Sequence, residues 1–201
     1  MSAPFSVCYS RCLPLLLIGS LSAASLPVLA QPSPQPARVS GCTFPDHPRQ
    51  KAPDWVCGKG ASKFVLQATG TAAKSKAGAQ NSKDKALASA RLALARQLAT
   101  HIEQRALRYA AANALPPTQA SRIKTPRFEQ QTQQVLVGSK LIATASSRKG
   151  TLYVWVGLDA PHLRDSVIAT VKASVANEQG EWQGLLAGKT PDQLAATLAA
   201  D

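Results

Sequence analysis

Cys42 and Cys57 are the residues of this chain best placed for covalent chemistry. Read as an even pair in an oxidising compartment, they form one disulfide closing a short loop. Two other readings compete at Cys42. The tetrapeptide Val39-Ser40-Gly41-Cys42 matches a lipobox, the signal for diacylglyceryl attachment to Cys. A polar, Pro-rich stretch at 31–38 separates it from the preceding apolar run, and lipidation would leave Cys57 unpaired. Cys42, His47 and Cys57, with Asp46, would alternatively hold a metal. Two thiolates at that spacing fit none of the usual zinc patterns. The disulfide is the favoured reading.

No catalytic constellation emerges from the remaining polar residues. The three histidines are His47, His101 and His162. None stands in a Gly-x-Ser-x-Gly or His-Glu-x-x-His setting. His101 reads as a solvated helix residue, and His162 falls in the first turn of a helix, where the dipole disfavours imidazolium. The 11 acidic residues are dispersed, with no spacing that marks a carboxylate pair. Gly58-Lys59-Gly60 reads as a turn rather than a phosphate loop. The expectation is therefore no catalytic residue, no metal and no cofactor.

The charge balance points to a partner instead. Lys and Arg number 23 against 11 acids, a net +12. Lys74, Lys76, Lys83 and Lys85 cluster in a small-residue loop and at the start of a helix. They are the candidate contacts for an anionic partner. Lys59 and Lys63, and Arg122, Lys124 and Arg127, form two further groups. A solvated surface that keeps the chain soluble explains the same excess. Aromatics are few, at 5%, so nucleic acid is a poorer candidate than an envelope polymer.

Residues 1–30 carry one charge, Arg11, then an apolar stretch diluted by serines and ending in Val28-Leu29-Ala30. That pattern is a secretory signal cleaved before Gln31. It is too short and polar for a membrane anchor, and no later segment would span a bilayer. Cleavage would remove two of the four cysteines, Cys8 and Cys12. With 201 residues, 45% hydrophobic and 17% charged, the rest suffices for one globular domain.

Local patterns then place the elements. Residues 31–51 are a Pro-rich, flexible lead-in, and residues 42–57 a Pro-containing loop in which Trp55 is a packing anchor. Residues 63–71 read as a strand with Phe64, Leu66 and Ala68 on one face, relaxing at Gly70. Residues 73–82 read as a mobile loop. A long helix follows from an Asn81 cap to about Asn113. Its buried stripe is Leu87, Leu94, Leu98 and Ile102, kept narrow by Ala90, Ala95 and Ala99. Arg91, Arg96, Arg105 and Arg108 form its polar remainder. Residues 128–147 predict one strand bulged near Gly138. Arg148-Lys149-Gly150 turns the chain into a second strand at 151–158, apolar on both faces and therefore internal. Asp159 caps a helix carrying Leu163, Val167, Val171 and Val175. Thr190-Pro191-Asp192-Gln193 is a capping box for a short last helix docked by Leu194 and Leu198. The order β-α-β-β-α plus a C-terminal helix predicts an α+β fold, a small antiparallel sheet with helices on one face.

Several segments carry a resemblance to a known family. Pro53-Asp54-Trp55 precedes the first strand, and Ala68-Thr69-Gly70-Thr71-Ala72 ends it. Ala95-Arg96-Gln97-Leu98-Ala99 and Ile102 sit in the long helix. Leu136-Val137-Gly138 then precedes Gly150-Thr151-Leu152-Tyr153-Val154-Trp155-Val156-Gly157-Leu158-Asp159. In order and spacing, over about residues 52–176, the chain resembles the Lpp-twenty lipoprotein family, small envelope proteins related to domains of flagellar accessory proteins. The resemblance implies a periplasmic or outer-membrane protein, with flagellar or surface assembly among the roles of relatives. It supplies no catalytic residues. Family members are typically lipidated near the N-terminus, whereas this chain carries an ordinary cleavage site.

The expected organisation is a signal at 1–30, the lead-in at 31–51, an α+β domain at 52–178 and a helical extension at 179–201. The expected function is non-enzymatic binding of an envelope protein or an anionic envelope polymer. A cell-wall enzyme or enzyme inhibitor, and a periplasmic nucleic-acid binder, are the alternatives.

Overall fold

The computed structural model describes residues 41–200 with the exception of Ser62. The signal at 1–30, the lead-in residues 31–40 and Asp201 lie outside the described residues. The fold is α+β, as expected. Strands β3 (Leu66–Ala72), β4 (Lys140–Ser146) and β5 (Leu152–Leu158) form an antiparallel sheet in the order β3-β5-β4. β5 is the inner strand, and its two-sided apolar pattern is why: Val154 and Val156 are fully buried on one face and Tyr153 is buried on the other. The irregularity in β4 lies between Leu141 and Ala143, not at Gly138.

The long helix α1 (Ala79–Ala112) lies across β3 and β5. Its stripe of small residues sets the separation. Ala86 and Ala90 are fully buried above Gly70, and a Cβ on Gly70 would stand 2.2 Å from the Ala90 backbone nitrogen. Gly70 is thus an interior strand residue, opposite Val154, where helix backbone meets strand backbone. It does not relax the chain into a loop. Leu94, Leu98 and Ile102 continue the contact as expected, while Leu87 is only half-buried. Phe64 precedes β3 rather than belonging to it, and its ring lies against Gly157.

Two expectations about α1 fail. It begins at Ala79 after Gly78, so Asn81 is inside the helix; its Oδ1 accepts from Ser75 Oγ at 2.9 Å. Arg105 is not part of a polar face but 7% exposed, and its Nη1 donates to Leu198 O at 2.7 Å. It thereby closes the C-terminal end of the last helix, α6 (Pro191–Ala199), where carbonyls lack partners.

Between α1 and β4 the chain is helical: α2 (Pro117–Ser121) and α3 (Pro126–Val135), then a turn of 3₁₀ helix at Leu136–Gly138. The strand expected from 128 is therefore wrong up to residue 138. Thr125 caps α3 by accepting from Phe128 N at 3.0 Å, and Pro126 occupies its first turn. Phe128, Thr132 and Leu136 are fully buried at a spacing of four, which is a helical stripe.

Helix α4 (Ala160–Asn177) starts where expected, with Asp159 Oδ1 accepting from His162 N at 3.1 Å. Leu163, Val167, Val171 and Val175 are its buried stripe. A further helix, α5 (Gln179–Leu186), buries Trp182 completely, its ring 6.1 Å from that of Phe128. The capping box of α6 is present in both directions, at 3.2 and 2.9 Å. α5 and α6 share one core cluster with α1 and the sheet.

The sheet's second face is covered by residues 42–57, which are not a plain loop. β1 (Thr43–Phe44) and β2 (His47–Lys51) pair as a hairpin, followed by 3₁₀ helix at Asp54–Cys57. Cys42 and Cys57 are disulfide-bonded, with Cα atoms 5.8 Å apart. Both sulfurs are thus committed, and the alternative metal reading loses its thiolates. Phe44, 2% exposed, packs on Tyr153 at 5.0 Å, and Trp55 stacks on Trp155 at 5.7 Å. Trp55 is the packing anchor expected of it.

Candidate functional site

Three chain segments meet at the end of the sheet where β3 finishes and the β4–β5 turn begins. Ala72 and Ser146 both lie opposite Leu152. The turn closes through Ser147 N to Thr151 O at 2.9 Å and Gly150 N to Ser147 O at 2.9 Å. Gly150 adopts φ 82°, the left-handed region that favours glycine. Its bare backbone is also where the stem of Lys74 lies: a Cβ there would be 3.3 Å from Lys74 Cβ. Lys74 therefore packs on the turn that carries Arg148 and Lys149, both exposed.

The hairpin braces this turn from the opposite face of the sheet. Asp46 accepts from Ser147 Oγ at 2.6 Å and from Tyr153 OH at 2.8 Å. Arg148 N donates to Gln50 Oε1 at 2.6 Å, and β2 places Arg49 and Lys51 on either side of Gln50. The Ser147 bond, reinforced by Thr151 and Tyr153, lowers the Asp46 pKa to about 2 despite opposing desolvation. Asp46 is thus held ionised by hydroxyl donors. Burial, followed by Asp46, raises the Tyr153 pKa.

The loop at 73–78 is tied down rather than free. Ser75 N donates to Ser82 Oγ at 2.9 Å, and Ala77 N donates to Ser75 Oγ at 3.1 Å. Lys74 and Lys76 are consequently anchored to the first turns of α1, which carry Lys83 and Lys85. Lys74, Lys76 and Lys85 are exposed, and Lys83 is half-buried. The ion pairs among the described residues use Lys59, Lys124, Lys140, Lys172 and His162. The four candidate lysines, Arg148 and Lys149 have no acidic partner among them. Arg148 and Lys149 were legible only as turn residues; β3 and β5 being neighbours brings them to Lys74.

Of the other basic groups, Arg122 and Arg127 are exposed and three lysines are engaged separately. Lys59 pairs with Asp54 at 3.1 Å, Lys63 lies 5.0 Å over the Phe64 ring, and Lys124 pairs with Glu103 at 3.0 Å.

The histidines are dispersed. His47 sits on β2. His101 is half-buried rather than fully solvated, and desolvation, then Arg105 and Arg108, lowers its pKa. His162 Nδ1 lies against Asp159 Oδ1. With Lys140 as the larger influence, this holds the Asp159 pKa well below the usual carboxylate range. Asp159 thus caps α4 and binds β4 through Lys140 at 2.8 Å.

The clefts collect little acid–base chemistry. One of about 680 Å³ is lined by Val65, Pro161, Leu163 and Ile168, with Asp165 as its single acid. One of about 410 Å³ holds His101 with Arg96 and no acid. Among the described residues no three His, Cys, Asp or Glu side chains are grouped as a metal site would need. No described helix is long and apolar enough to cross a membrane. Compared with family models, curated proteins and solved structures, the chain matches none.

Proposed function

We propose that this is an exported, non-enzymatic cell-envelope protein. It binds an anionic envelope polymer or a partner protein with the basic end of its sheet. Residues 1–30 direct export, and the disulfide suits an oxidising compartment. The Lpp-twenty-like pattern supports a periplasmic or outer-membrane-associated role in envelope, flagellar or surface assembly. The carrying observation is electrostatic. The stem of Lys74 packs on Gly150 in the turn that carries Arg148 and Lys149, Lys76, Lys83 and Lys85 follow in the adjoining loop and helix, and no described acid pairs with any of them. Unpaired like charges held together cost stability, while supplying the field that recruits an anion.

The test is cosedimentation with lipopolysaccharide-containing vesicles and with neutral vesicles. The expected result is retention on the first only, lost between about 0.05 M and about 0.5 M salt as the screening length shortens. A Lys74→Glu/Arg148→Glu/Lys149→Glu variant should fold and fail to bind. Equal retention of that variant would sink the proposal.

A further inference from the structure

Near the C-terminal end of α1 a separate cleft of about 300 Å³ opens between that helix and α6. Arg105, Arg108, Tyr109, Asn113, Lys189 and Thr197 line it, and among the described residues no acid does. Tyr109 is 7% exposed, and its hydroxyl is enclosed without a hydrogen-bond partner among the described residues. A buried hydroxyl in that state calls for an explanation, commonly a bound water or ion.

Two of the cations around it, Lys189 and Arg108, form no ion pair with a described acid. Lys189 Nζ stands 5.0 Å from the Tyr109 ring centroid and 3.3 Å from Thr197 Oγ1. Thr197 donates its own proton to Gln193 O at 2.8 Å, so toward Lys189 it is an acceptor. That leaves Lys189 two further N–H donors. Arg108 is exposed at the rim and forms no ion pair with a described residue. Arg105 lies behind them with Nη1 bound to Leu198 O. Glu103 is paired with Lys124, and Asp192 with Lys172 at 2.6 Å. Asn113 is turned away, its Nδ2 donating to Tyr109 O at 2.8 Å.

We propose that this cleft binds a phosphate-class oxyanion. Lys189 and Arg108 donate to its oxygens, and the Tyr109 hydroxyl becomes a third donor when Lys189 leaves the ring for the anion. Two cations with no carboxylate among the described lining residues favour a dianion over a carboxylate. An arginine fork suits the tetrahedral oxygens. The cleft is distinct from the basic end of the sheet: Lys85 and Tyr109 are separated by roughly 36 Å of helix. The ligand is either the free ion or a phosphomonoester group on a larger molecule.

The experiment is calorimetric titration of the chain from Gln31 with inorganic phosphate, methyl phosphate and acetate, at constant ionic strength set with chloride. Saturable phosphate binding that exceeds acetate binding is expected. Lys189→Ala and Arg108→Ala should each weaken it about tenfold or more, as loss of a charge-assisted bond does. Tyr109→Phe, which keeps the ring and its packing, should weaken it by about threefold to tenfold. Methyl phosphate binding equal to phosphate would support a carried group, and preference for phosphate would support the free ion. The Lys74→Glu/Arg148→Glu/Lys149→Glu variant should bind phosphate unchanged, which separates this site from the proposed envelope contact. No saturation up to about 10 mM, a weakness of about 3 kcal/mol in standard free energy, would overturn the proposal. So would acetate binding as tight as phosphate, or undiminished affinity in Tyr109→Phe.

Discussion

Replacing both bridged cysteines, Cys42→Ser/Cys57→Ser, tests how the outer face of the sheet is closed. The bridge joins residues separated by 15 positions. In the chain-entropy model a loop of that length lowers the denatured-state entropy by about 10 cal/mol/K, or about 3 kcal/mol at 25 °C. For a folded region of this size, that corresponds to a melting-temperature drop of about 6–12 °C. The remaining attachments are the burial of Phe44 on Tyr153, the Trp55–Trp155 stack and the Asp46 and Gln50 hydrogen bonds. Burying one Phe contributes about 1.5–3 kcal/mol and each hydrogen bond about 1 kcal/mol. These compete with the entropy of ordering the hairpin, so the bridge is the largest single contribution. Two signals follow the loss. Far-UV circular dichroism reports chiefly the six described α-helices, none of which belongs to the hairpin. Tryptophan emission reports hairpin docking through Trp55 and Trp155. In the serine variant, emission should shift to the red at or below the helical transition. Melting within about 2 °C of the parent by both signals would refute the loop-closure reasoning.

Gly70→Ala should destabilise by at least about 3 kcal/mol, because its Cβ would meet the backbone of Ala86 and Ala90 rather than a side chain that can move. Gly138→Ala, with open space around it, should stay within about 0.5 kcal/mol, and urea melts of the two compare them. Asp46 has a folded pKa lowered from 3.8 to about 2, so its contribution is complete above about pH 4 and is lost as pH falls toward 2. Asp46→Asn should flatten that acid limb in melts from about pH 5 to about pH 2, and an unchanged limb would assign the acid sensitivity elsewhere.

Where the sequence was readable, a local cause decided the structure. The Thr190–Gln193 box and the Asp159 cap act over three residues, so neither needs tertiary information. The β5 pattern, with Val154 and Val156 alternating with Tyr153 and Trp155, stated an inner strand before any partner was known. Residues 126–135 are helical although the apolar cluster at 135–137 has the local pattern of a strand. The stripe of Phe128, Thr132 and Leu136 has a polar middle member and escapes an apolar count. The Thr125–Pro126 start was the available signal, the same chemistry read correctly at Thr190–Pro191.

The basic site divides in the same way. The sequence alone determined the charge excess, the cluster of Lys74, Lys76, Lys83 and Lys85, the cysteine pair and the α+β class, because composition and short-range periodicity are properties of adjacent residues. Only the tertiary structure decided that Arg148 and Lys149 join Lys74, through the pairing of β3 with β5 about 80 residues apart in the chain. It likewise decided that Arg105, polar by type, is buried where it closes the end of α6. Register and helix packing are set by which apolar faces fit together over the whole core. A charged side chain then goes wherever that fit leaves it a partner.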